Sequence, residues 1–593
     1  MVAQDVHVVR PSHHALAVTL YVFIATLLCF SVITDPAHTA IGHPSNDVWN
    51  HIWGFWWVDW CLRHGQLPLH TDLLGWPAGG SLWFIDILGA VTTLPVQWAA
   101  GPVAAYNASI WINFILCGVG GYALGLAVSD RWAGGVAAGV VYMTTPHLLG
   151  QAYNGISETL AAGWLPLAVL AMRRAEREPS ARNGMIAGGL IGVTSLASWY
   201  YGLFAAIVLV GLLSRVVWRT RGRRRPDAAE VRTALTTAIA GSLVVVVVAA
   251  VPFALFARTM NAPDALVTRD EGFVWMTLVM HNMTDLISLF HPGKFYSPDL
   301  HAAFGEDLIV VVYLGMTAWI PGMFVLTTSM RRKAEPWVGL LLVFTVLSLG
   351  PYLYVSGQYV RVAGGWLPLP FLALFQWFPL FSRISHAYRF AIGAAMAVSV
   401  LVALAVRAAP RLGVRAGLAA VILAGLRIIE TLTLSPAVWP LPTSSVIIPA
   451  VYRGIHDGAV LDLPITLAVL ARSRVLVNQL THHQPVPFGL NDPVPRYLHT
   501  NRYTNYILTL ERMNISFMPP DLPQLDLVAG RMDLREKGCR WVVVHRNAYT
   551  KDQAARVLAF LDMTAQAVED DGVVRVYDLD AALATQGGPE TAH

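Results

Sequence analysis

Charged residues are scarce in this chain of 593 residues, and their scarcity excludes an ordinary soluble enzyme. Only 13% of the residues are charged, against roughly 25% in an average soluble domain, while 55% are hydrophobic. The 41 Lys and Arg and the 37 Asp and Glu leave a net charge of +4, which is too slight to indicate a nucleic-acid partner. This composition is typical of a chain that crosses a lipid bilayer several times.

Cysteine is nearly missing, and the common nucleotide, zinc-protease and nucleophile motifs are wholly missing. The four cysteines have no CxxC or paired spacing, which excludes a cysteine-based zinc site and argues against a disulfide framework. The sequence contains no P-loop, no GxGxxG after a strand, no HExxH and no GxSxG. The chain therefore has no recognisable nucleotide site of its own.

Long apolar runs, in contrast, recur along the first three quarters of the chain. A bilayer crossing needs about 20 mostly apolar residues. Eleven runs have about that length: 15–34, 104–128, 132–150, 157–173, 183–198, 202–218, 233–257, 307–329, 336–355, 388–406 and 416–434. We interpret the first run as a retained helix, because no small-x-small cleavage site follows it cleanly. The segment 82–100 is ambiguous, since Asp86 and Pro95 interrupt it.

The basic clusters determine the predicted orientation, because short cytoplasmic loops are enriched in Lys and Arg. Four such clusters lie at 173–182, 215–225, 331–333 and 407–415. All four fall on the cytoplasmic side only if 82–100 lies along the membrane surface instead of crossing it. The N-terminus is then cytoplasmic, and the predicted external segments are 35–103, 151–156, 199–201, 258–306, 356–387 and 435–593.

The last 150 or so residues change character and predict a small extracytoplasmic α/β domain over 435–593. Strands alternating with helical pattern are typical of such domains. The predicted strands are 460–464, 475–478, 541–545 and 573–577, with a helix over 554–561. The whole fold is therefore predicted to be mainly α. It has a polytopic membrane domain over 1–434 with about eleven transmembrane helices, interfacial helices in the first external loop (35–103), and this α/β domain.

The first external loop contains a tryptophan-rich helical pattern. At 100° per residue, five tryptophans fall within about one third of the helical wheel, and Asp47 and His51 fall on the opposite side. Tryptophan favours the membrane–water interface, so the pattern predicts a helix lying flat on the outer leaflet with Asp47 and His51 facing away from the lipid. Asp47 is then either a solvated residue of the polar face or a catalytic or metal-binding carboxylate.

The stretch GHPSNDVWNHIWGFWWVDWCLRHGQLPLHTDLLGWPAGGSLWFIDIL, which begins at Gly42, resembles the first periplasmic loop of bacterial GT-C superfamily glycosyltransferases. Five shorter segments also resemble that superfamily. They are GPVAAYN, ETLAAGWLPLAVLAM, RISHAYRF, and the LDLPI and WVVVHR segments near the C-terminus. The resemblance extends over most of the chain, although each motif is short and says nothing about the particular substrate.

This resemblance implies a lipid-linked sugar donor, such as a polyprenyl-phosphate sugar. It implies a glycan, lipid or protein acceptor on the outer face of a bacterial inner membrane. It also implies that an acidic residue of the first loop acts as general base or helps to hold a divalent cation, and Asp47 is the matching position. Asn46 stands where some members carry a second acid, which argues against a metal-binding pair at that point.

Glu158 follows the short external loop that contains Asn154 and lies at the mouth of the next predicted crossing. An ionisable side chain there is a functional candidate by default. The simpler interpretation is a helix-start carboxylate favoured by the helix dipole. If Asp47 and Glu158 converge, they form an acid–base pair or an oxygen-rich site suited to Mg²⁺ or Mn²⁺. His51 and Asn154 are further candidates for contact with the substrate.

Arg383, His386 and Arg389 lie at the outer end of a predicted crossing. The planar donors of arginine suit phosphate oxygens, and the positive-inside bias does not explain basic residues on the outer side, so this group is predicted to hold a lipid phosphate. The alternative is that the arginines merely reach for lipid headgroups.

Two other functional classes stay open for this chain. A flippase or transporter would place broken or charged helices near the membrane midplane, whereas here the polar groups gather at one face. A non-catalytic envelope-assembly protein could have the same fold without the chemistry. The sequence favours an inverting glycosyltransferase, with Asp47 as the base and an arginine stabilising the departing polyprenyl phosphate.

Overall fold

The computed structural model describes residues 10–220, 227–267, 270–281, 284–292, 308–490, 494–512 and 527–581, and these are mostly helical. The helices of the first half are α1 (Pro11–Leu28), α2 (Val48–Arg63), α3 (Ile87–Thr92), α4 (Leu94–Ser129), α5 (Trp132–Met143), α6 (Pro146–Asn154), α7 (Trp164–Arg177), α8 (Ala181–Ala197), α9 (Trp199–Thr220), α10 (Ala228–Met260) and α11 (Glu271–Met276). Those that follow are α12 (Met316–Phe324), α13 (Arg331–Ser348), α14 (Pro370–Trp377), α15 (Ala391–Ala408), α16 (Ala416–Leu434), α17 (Val469–Arg472), α18 (Gln479–His482), α19 (Arg496–Thr500), α20 (Arg502–Arg512), α21 (Leu527–Glu536) and α22 (Lys551–Thr564).

Short strands accompany these helices. They are β1 (Thr39–Ile41), β2 (His70–Thr71), β3 (Gly80–Ser81), β4 (Tyr354–Val355), β5 (Gln358–Tyr359), β6 (Arg361–Val362), β7 (Gly365–Trp366), β8 (Thr443–Ser445), β9 (Ala459–Leu463), β10 (Cys539–His545), β11 (Gln566–Asp570) and β12 (Val574–Asp578). The largest sheet has four strands in the order β11-β12-β10-β9. In that sheet β9 and β10 run parallel, and the other pairs are antiparallel.

Six helical segments of the described residues are long and apolar enough to cross a membrane: α1, α4, α9 as far as Val216, α10, Ala387–Arg411 around α15, and α16. These segments support a multi-pass membrane protein, while the number of eleven crossings stays a prediction.

Two of the apolar runs that were predicted to cross the membrane are each divided into separate helical segments. Pro146 begins a new helix, which separates α5 from α6, and Ser157–Gly163 forms a 3-10 turn before α7.

The packed centre of the helical region is α15, in which every residue but Arg407 is buried. Close approach of backbones is visible where α8 crosses α10. A Cβ atom on Gly184 would lie 2.1 Å from the carbonyl oxygen of Thr237, and one on Gly188 would lie 2.2 Å from that of Gly241. Small residues let helix backbones approach where lipid supplies no hydrophobic driving force.

The segment 82–100 contains the short helix α3 and the first residues of α4. Asp86 caps α3 by accepting a hydrogen bond from the backbone N–H of Gly89 at 3.1 Å. The helix α4 then begins at Leu94 and is kinked at Gly101, whose φ of 86° needs a glycine, and Pro102 follows directly. This kink separates 94–100 from the apolar run that was predicted to cross.

The C-terminal residues contain the predicted sheet, with two differences. Strands β9, β10 and β12 and the helix α22 lie where the sequence predicts them, and α22 begins with a capping box of Thr550 and Gln553. The predicted strand 475–478 is wrong, because Ser473–Asn478 forms a 3-10 turn. The strand β11 was not predicted, since all five of its residues are exposed and lack the apolar pattern of a strand. The division into domains at 434/435 stays a prediction.

The tryptophan face of α2 packs on the C-terminal residues, so the prediction that it rests on lipid is wrong. Trp49, Trp53 and Trp57 are almost fully buried. The Nε1 atom of Trp53 donates to Oε1 of Gln479 at 2.7 Å, and Trp56 stacks on His483. The strand β1 of the first loop also pairs with β8 in the C-terminal part. The tryptophan rings are therefore buried by protein, and the indole N–H of Trp53 donates to a protein acceptor.

Candidate active site

Asp47 and His51 begin the tryptophan-rich helix and lie one turn apart. The backbone N–H of Asp47 donates to the carbonyl oxygen of Asn154 at 3.2 Å, which fixes the start of α2 against the end of α6. Asn50 donates to Oδ1 of Asp47 at 3.1 Å. Asp47 is half-buried, whereas His51 is buried. Because residues four apart share one helix face, the two side chains point to the same side of α2.

Glu158 is the buried acid that these residues meet. It lies in the 3-10 turn Ser157–Gly163 and is only 3% exposed. Its Oε2 lies 3.5 Å from Nε2 of His51, and its Oε1 lies 3.6 Å from Nη1 of Arg389. The charges of Asp47 and Asp86 also act on this carboxyl. Four segments that are far apart in the sequence therefore meet at one buried carboxylate.

Asp86 is a residue of this cluster that the sequence analysis did not select. Its Oδ2 accepts a short hydrogen bond from the hydroxyl of Ser157, and Oγ of Ser157 lies 2.9 Å from Nδ1 of His51. The Ser157 hydroxyl that donates to Asp86 can at the same time accept from a protonated Nδ1. The arrangement thus connects His51 to Asp86 through Ser157 and to Glu158 directly. The signal in the sequence was a lone acid inside an otherwise apolar run.

Burial raises the pKa of Asp86 to about 7, although the hydrogen bonds from Ser157 and Gly89 act in the opposite direction. The carboxyl is only 3% exposed, and removal from water disfavours its charged form. Asp86 therefore changes its protonation state near neutral pH, beside a histidine and a second carboxyl.

Arg389 contributes the positive charge of the site. It lies in the 3-10 turn Ala387–Phe390 directly before α15, and its guanidinium lies over the ring of Tyr200, 4.9 Å from the ring centre. Its Nε donates no hydrogen bond to any described protein atom. Arg389 is buried, so its charge is held in place by Glu158 and the aromatic ring.

The other predicted site residues have different surroundings. Arg383 is exposed, and His386 is half-buried with its Nδ1 2.7 Å from Oγ of Ser385. Asn154 is buried and binds the backbone of Ile309 twice, at 2.8 Å through Nδ2 and at 2.9 Å through Oδ1. Asn154 therefore holds the segment after residue 307 in place. Its role in contacting a substrate stays a prediction.

The divalent cation on Asp47 and Glu158 stays a prediction. Within the described residues there is no group of three or more His, Cys, Asp or Glu side chains placed to hold a metal ion. The two oxygens of Glu158 face Arg389 and His51 instead. The reaction steps proposed for this site use protein side chains alone.

The fold that carries this cluster has counterparts among solved structures. It is similar to the mycobacterial arabinofuranosyltransferase AftD, with a TM-score of 0.60 and 13% sequence identity over 97% of this chain. The chain spans 40% of the length of AftD. At this identity the likeness establishes the fold alone.

Two further solved structures are similar at lower scores. The oligosaccharyltransferase of Archaeoglobus fulgidus has a TM-score of 0.42 and 13% identity, with 93% of this chain and 73% of that chain covered. ArnT from Cupriavidus metallidurans has a TM-score of 0.38 and 15% identity, with 97% and 99% covered. No family model matches the sequence, and no curated protein matches it.

Proposed function

We propose that this protein is a membrane glycosyltransferase that moves a sugar from a polyprenyl-phosphate-linked donor to an acceptor on the extracytoplasmic face. The observation that supports the proposal best is the buried cluster of Glu158, His51, Asp86 and Arg389 beside the half-buried Asp47. A chain that only scaffolds an assembly has no need to bury three ionisable partners around one carboxylate, because such burial costs stability.

Asp47 is the general base in this proposal. Asp86 and Glu158 are buried and engaged, while Asp47 is half-buried and carries the least enclosed carboxylate of the cluster. The base must reach the acceptor hydroxyl, so accessibility favours Asp47. Asp47 takes the hydroxyl proton as that oxygen bonds to the anomeric carbon. The bond from the anomeric carbon to the phosphate oxygen breaks, and its electron pair leaves with the polyprenyl phosphate.

Arg389 and Arg383 supply the positive charge for the departing phosphate. Electrostatic stabilisation of developing charge is usually the largest single contribution to such a step. Arg389 is held by Glu158 and Tyr200, and Arg383 is exposed at the surface. A phosphate leaving group is already stable as an anion, so the step needs no general acid. Glu158, His51 and Asp86 serve to position Arg389 and the start of α2.

The test is the Asp47→Asn variant, assayed in membranes for release of polyprenyl phosphate from a panel of polyprenyl-phosphate pentoses and hexoses. Loss of a general base is expected to lower turnover by about 10²-fold or more. Asp72→Asn is the matched control, because Asp72 lies in the same loop with its side chain 84% exposed. Turnover of Asp47→Asn within a few fold of wild type would remove the role assigned to Asp47.

A further inference from the structure

A cavity of about 290 Å³ that none of these site residues lines lies between the C-terminal sheet and the first loop. Its wall is mainly aliphatic, and Trp49 lines it on the side of the first loop. Its polar lining residues are Ser445, Arg474, Asn478, His545 and Asn547. The residues that follow β9 and β10 form part of the wall. In α/β sheets, ligands bind outside the carboxyl ends of parallel strands, and β9 and β10 are the parallel pair here.

His545 is held in one orientation at the end of β10. Its Nε2 lies 2.9 Å from Oδ1 of Asp462 on the neighbouring strand β9, and 2.9 Å from the hydroxyl of Tyr452. Tyr452 also donates a short hydrogen bond to Asp462, and Asn478 is hydrogen-bonded to Tyr452. With Nε2 engaged by the carboxylate, Nδ1 is the ring nitrogen left for a ligand.

Two buried polar atoms of this cluster have no hydrogen-bond partner among the described protein atoms: Oδ2 of Asp462 and Nε2 of His482. The ring of His482 stacks on Tyr452, and its Nδ1 accepts from the backbone N–H of Gln484 at 3.0 Å. Burial lowers the pKa of His482 to about 4, so this histidine is neutral at physiological pH. Buried polar atoms without partners are costly, and Asp462 contacts His545, which lines the cavity.

The lining favours hydroxyl groups over ions. Asparagine side chains present both donors and an acceptor, as a sugar hydroxyl requires. The buried carboxylate of Asp462 behind His545 disfavours an anion. Arg474 is the one cation among the residues that line the cavity, and it lies over the ring of Trp49 at 5.5 Å. The aliphatic wall suits the C–H face of a sugar ring, and the volume is that of a small ligand.

We propose that this cavity binds a residue of a neutral, hydroxyl-rich saccharide, with Nδ1 of His545 accepting from one of its hydroxyls. That this saccharide belongs to the acceptor rests on the function proposed above. Binding of the saccharide does not depend on that function, because it needs no transfer step. The cavity lies where the first loop meets the C-terminal part, so a glycan held there can extend towards the start of α2.

The experiment measures binding of the full-length protein in detergent micelles to an array of neutral and acidic bacterial oligosaccharides. We expect binding to at least one neutral oligosaccharide, reduced about tenfold by His545→Ala, which corresponds to one lost hydrogen bond of about 1.4 kcal/mol. Val573→Trp, which fills the cavity from a half-exposed position and leaves the polar cluster intact, should reduce binding at least as much. This second variant keeps the test decisive if His545→Ala does not fold.

The controls separate this inference from the proposed reaction. His456→Ala alters an exposed histidine that does not line the cavity and should bind as wild type does. Asp47→Asn should also bind normally, whatever its turnover. Binding to neutral glycans that neither cavity variant weakens, binding to acidic glycans only, or no binding to any glycan would each overturn the proposal.

Discussion

At the residue scale, Asp86 makes the candidate site sensitive to pH. In the folded protein its pKa is about 7, against an ordinary value of 3.8. A carboxyl whose pKa is raised by folding contributes stability fully below its unfolded pKa and loses that contribution as the pH rises through its folded pKa. The difference between the folded and ordinary pKa values corresponds to at most about 4 kcal/mol of the free energy of unfolding.

The wild-type protein should therefore have a lower apparent Tm at pH 8 than at pH 6. Asp86→Asn removes the ionisation while keeping one acceptor oxygen for the backbone N–H of Gly89, so much of this fall should disappear. Thermal unfolding in detergent, followed by tryptophan fluorescence at both pH values, checks this. An equal fall in Asp86→Asn and wild type would show that another group carries the pH dependence.

The sequence allowed some of the candidate site to be predicted at this scale. Asp47 and His51 could be selected because helical spacing alone puts residues four apart on one face. The contact of Glu158 with His51 and Arg389 could not be derived, because the three residues lie in segments that only the packing of helices brings together. Asp86 was visible only as an interruption of an apolar run, and its link to Ser157 depends on the same packing.

At the element scale, the carboxylate of Glu430 on α16 holds the start of α12. The carboxylate of Glu430 accepts from the Tyr313 hydroxyl at 2.6 Å and from the backbone N–H groups of Met316 and Thr317 at 2.6 and 3.1 Å. It also pairs with the fully buried Arg427, at 3.4 Å. The side chain thus caps α12 and balances the charge of Arg427 on its own helix, which makes Glu430 a structural contact between α16 and α12.

Glu430→Gln should destabilise the protein by about 3–5 kcal/mol, because it leaves the charge of Arg427 buried without its counter-charge. Glu335→Gln is the matched control, since its pair with Arg331 is exposed and should change stability by about 0.5 kcal/mol or less. Chemical unfolding in mixed micelles measures both. Equal effects of the two substitutions would mean that the pair contributes nothing to the contact.

The crossing of α8 and α10 provides a matched pair of glycines. A methyl group on Gly188 would meet the backbone of Gly241 at 2.2 Å, whereas one on Gly189 would meet only a side-chain atom of Val244 at 3.8 Å. Gly188→Ala should therefore cost about 1–3 kcal/mol, because two backbones must separate. Gly189→Ala should be neutral or stabilise by up to about 1 kcal/mol, since alanine is the better helix former. Similar stabilities of the two variants would contradict the close crossing.

The positions of regular elements were predicted from the sequence better than their type, whether helix, strand or turn. The apolar run 416–434 coincides with α16, whereas 132–150 is divided at Pro146 and 475–478 is a 3-10 turn. Short apolar runs do not distinguish strands from buried helical turns by periodicity. The tryptophan pattern of α2 identified the apolar face correctly, but a pattern cannot say whether lipid or protein covers that face.

At the scale of the whole molecule, the first loop and the C-terminal part are joined by the β1–β8 pairing and by the tryptophan face of α2. The amide of Gln479 accepts from Trp53 and donates to the carbonyl oxygens of Leu73 and Gln484, both at 2.8 Å. The helix that carries Asp47 and His51 is therefore supported on one face by the C-terminal residues, and on the other it meets Glu158. Such support on both faces holds a catalytic group in a fixed position.

The central claim is that Asp47 acts in the chemical step and that Arg389 and Arg383 stabilise the donor phosphate. The most direct measurement compares, in one preparation of Asp47→Asn, the single-turnover rate and the Kd for a polyprenyl-phosphate sugar. We predict that the rate falls about 10²-fold or more while the Kd changes by less than about threefold, since a general base acts mainly in the transition state. An unchanged rate, or a rate and an affinity that fall together, would contradict the claim.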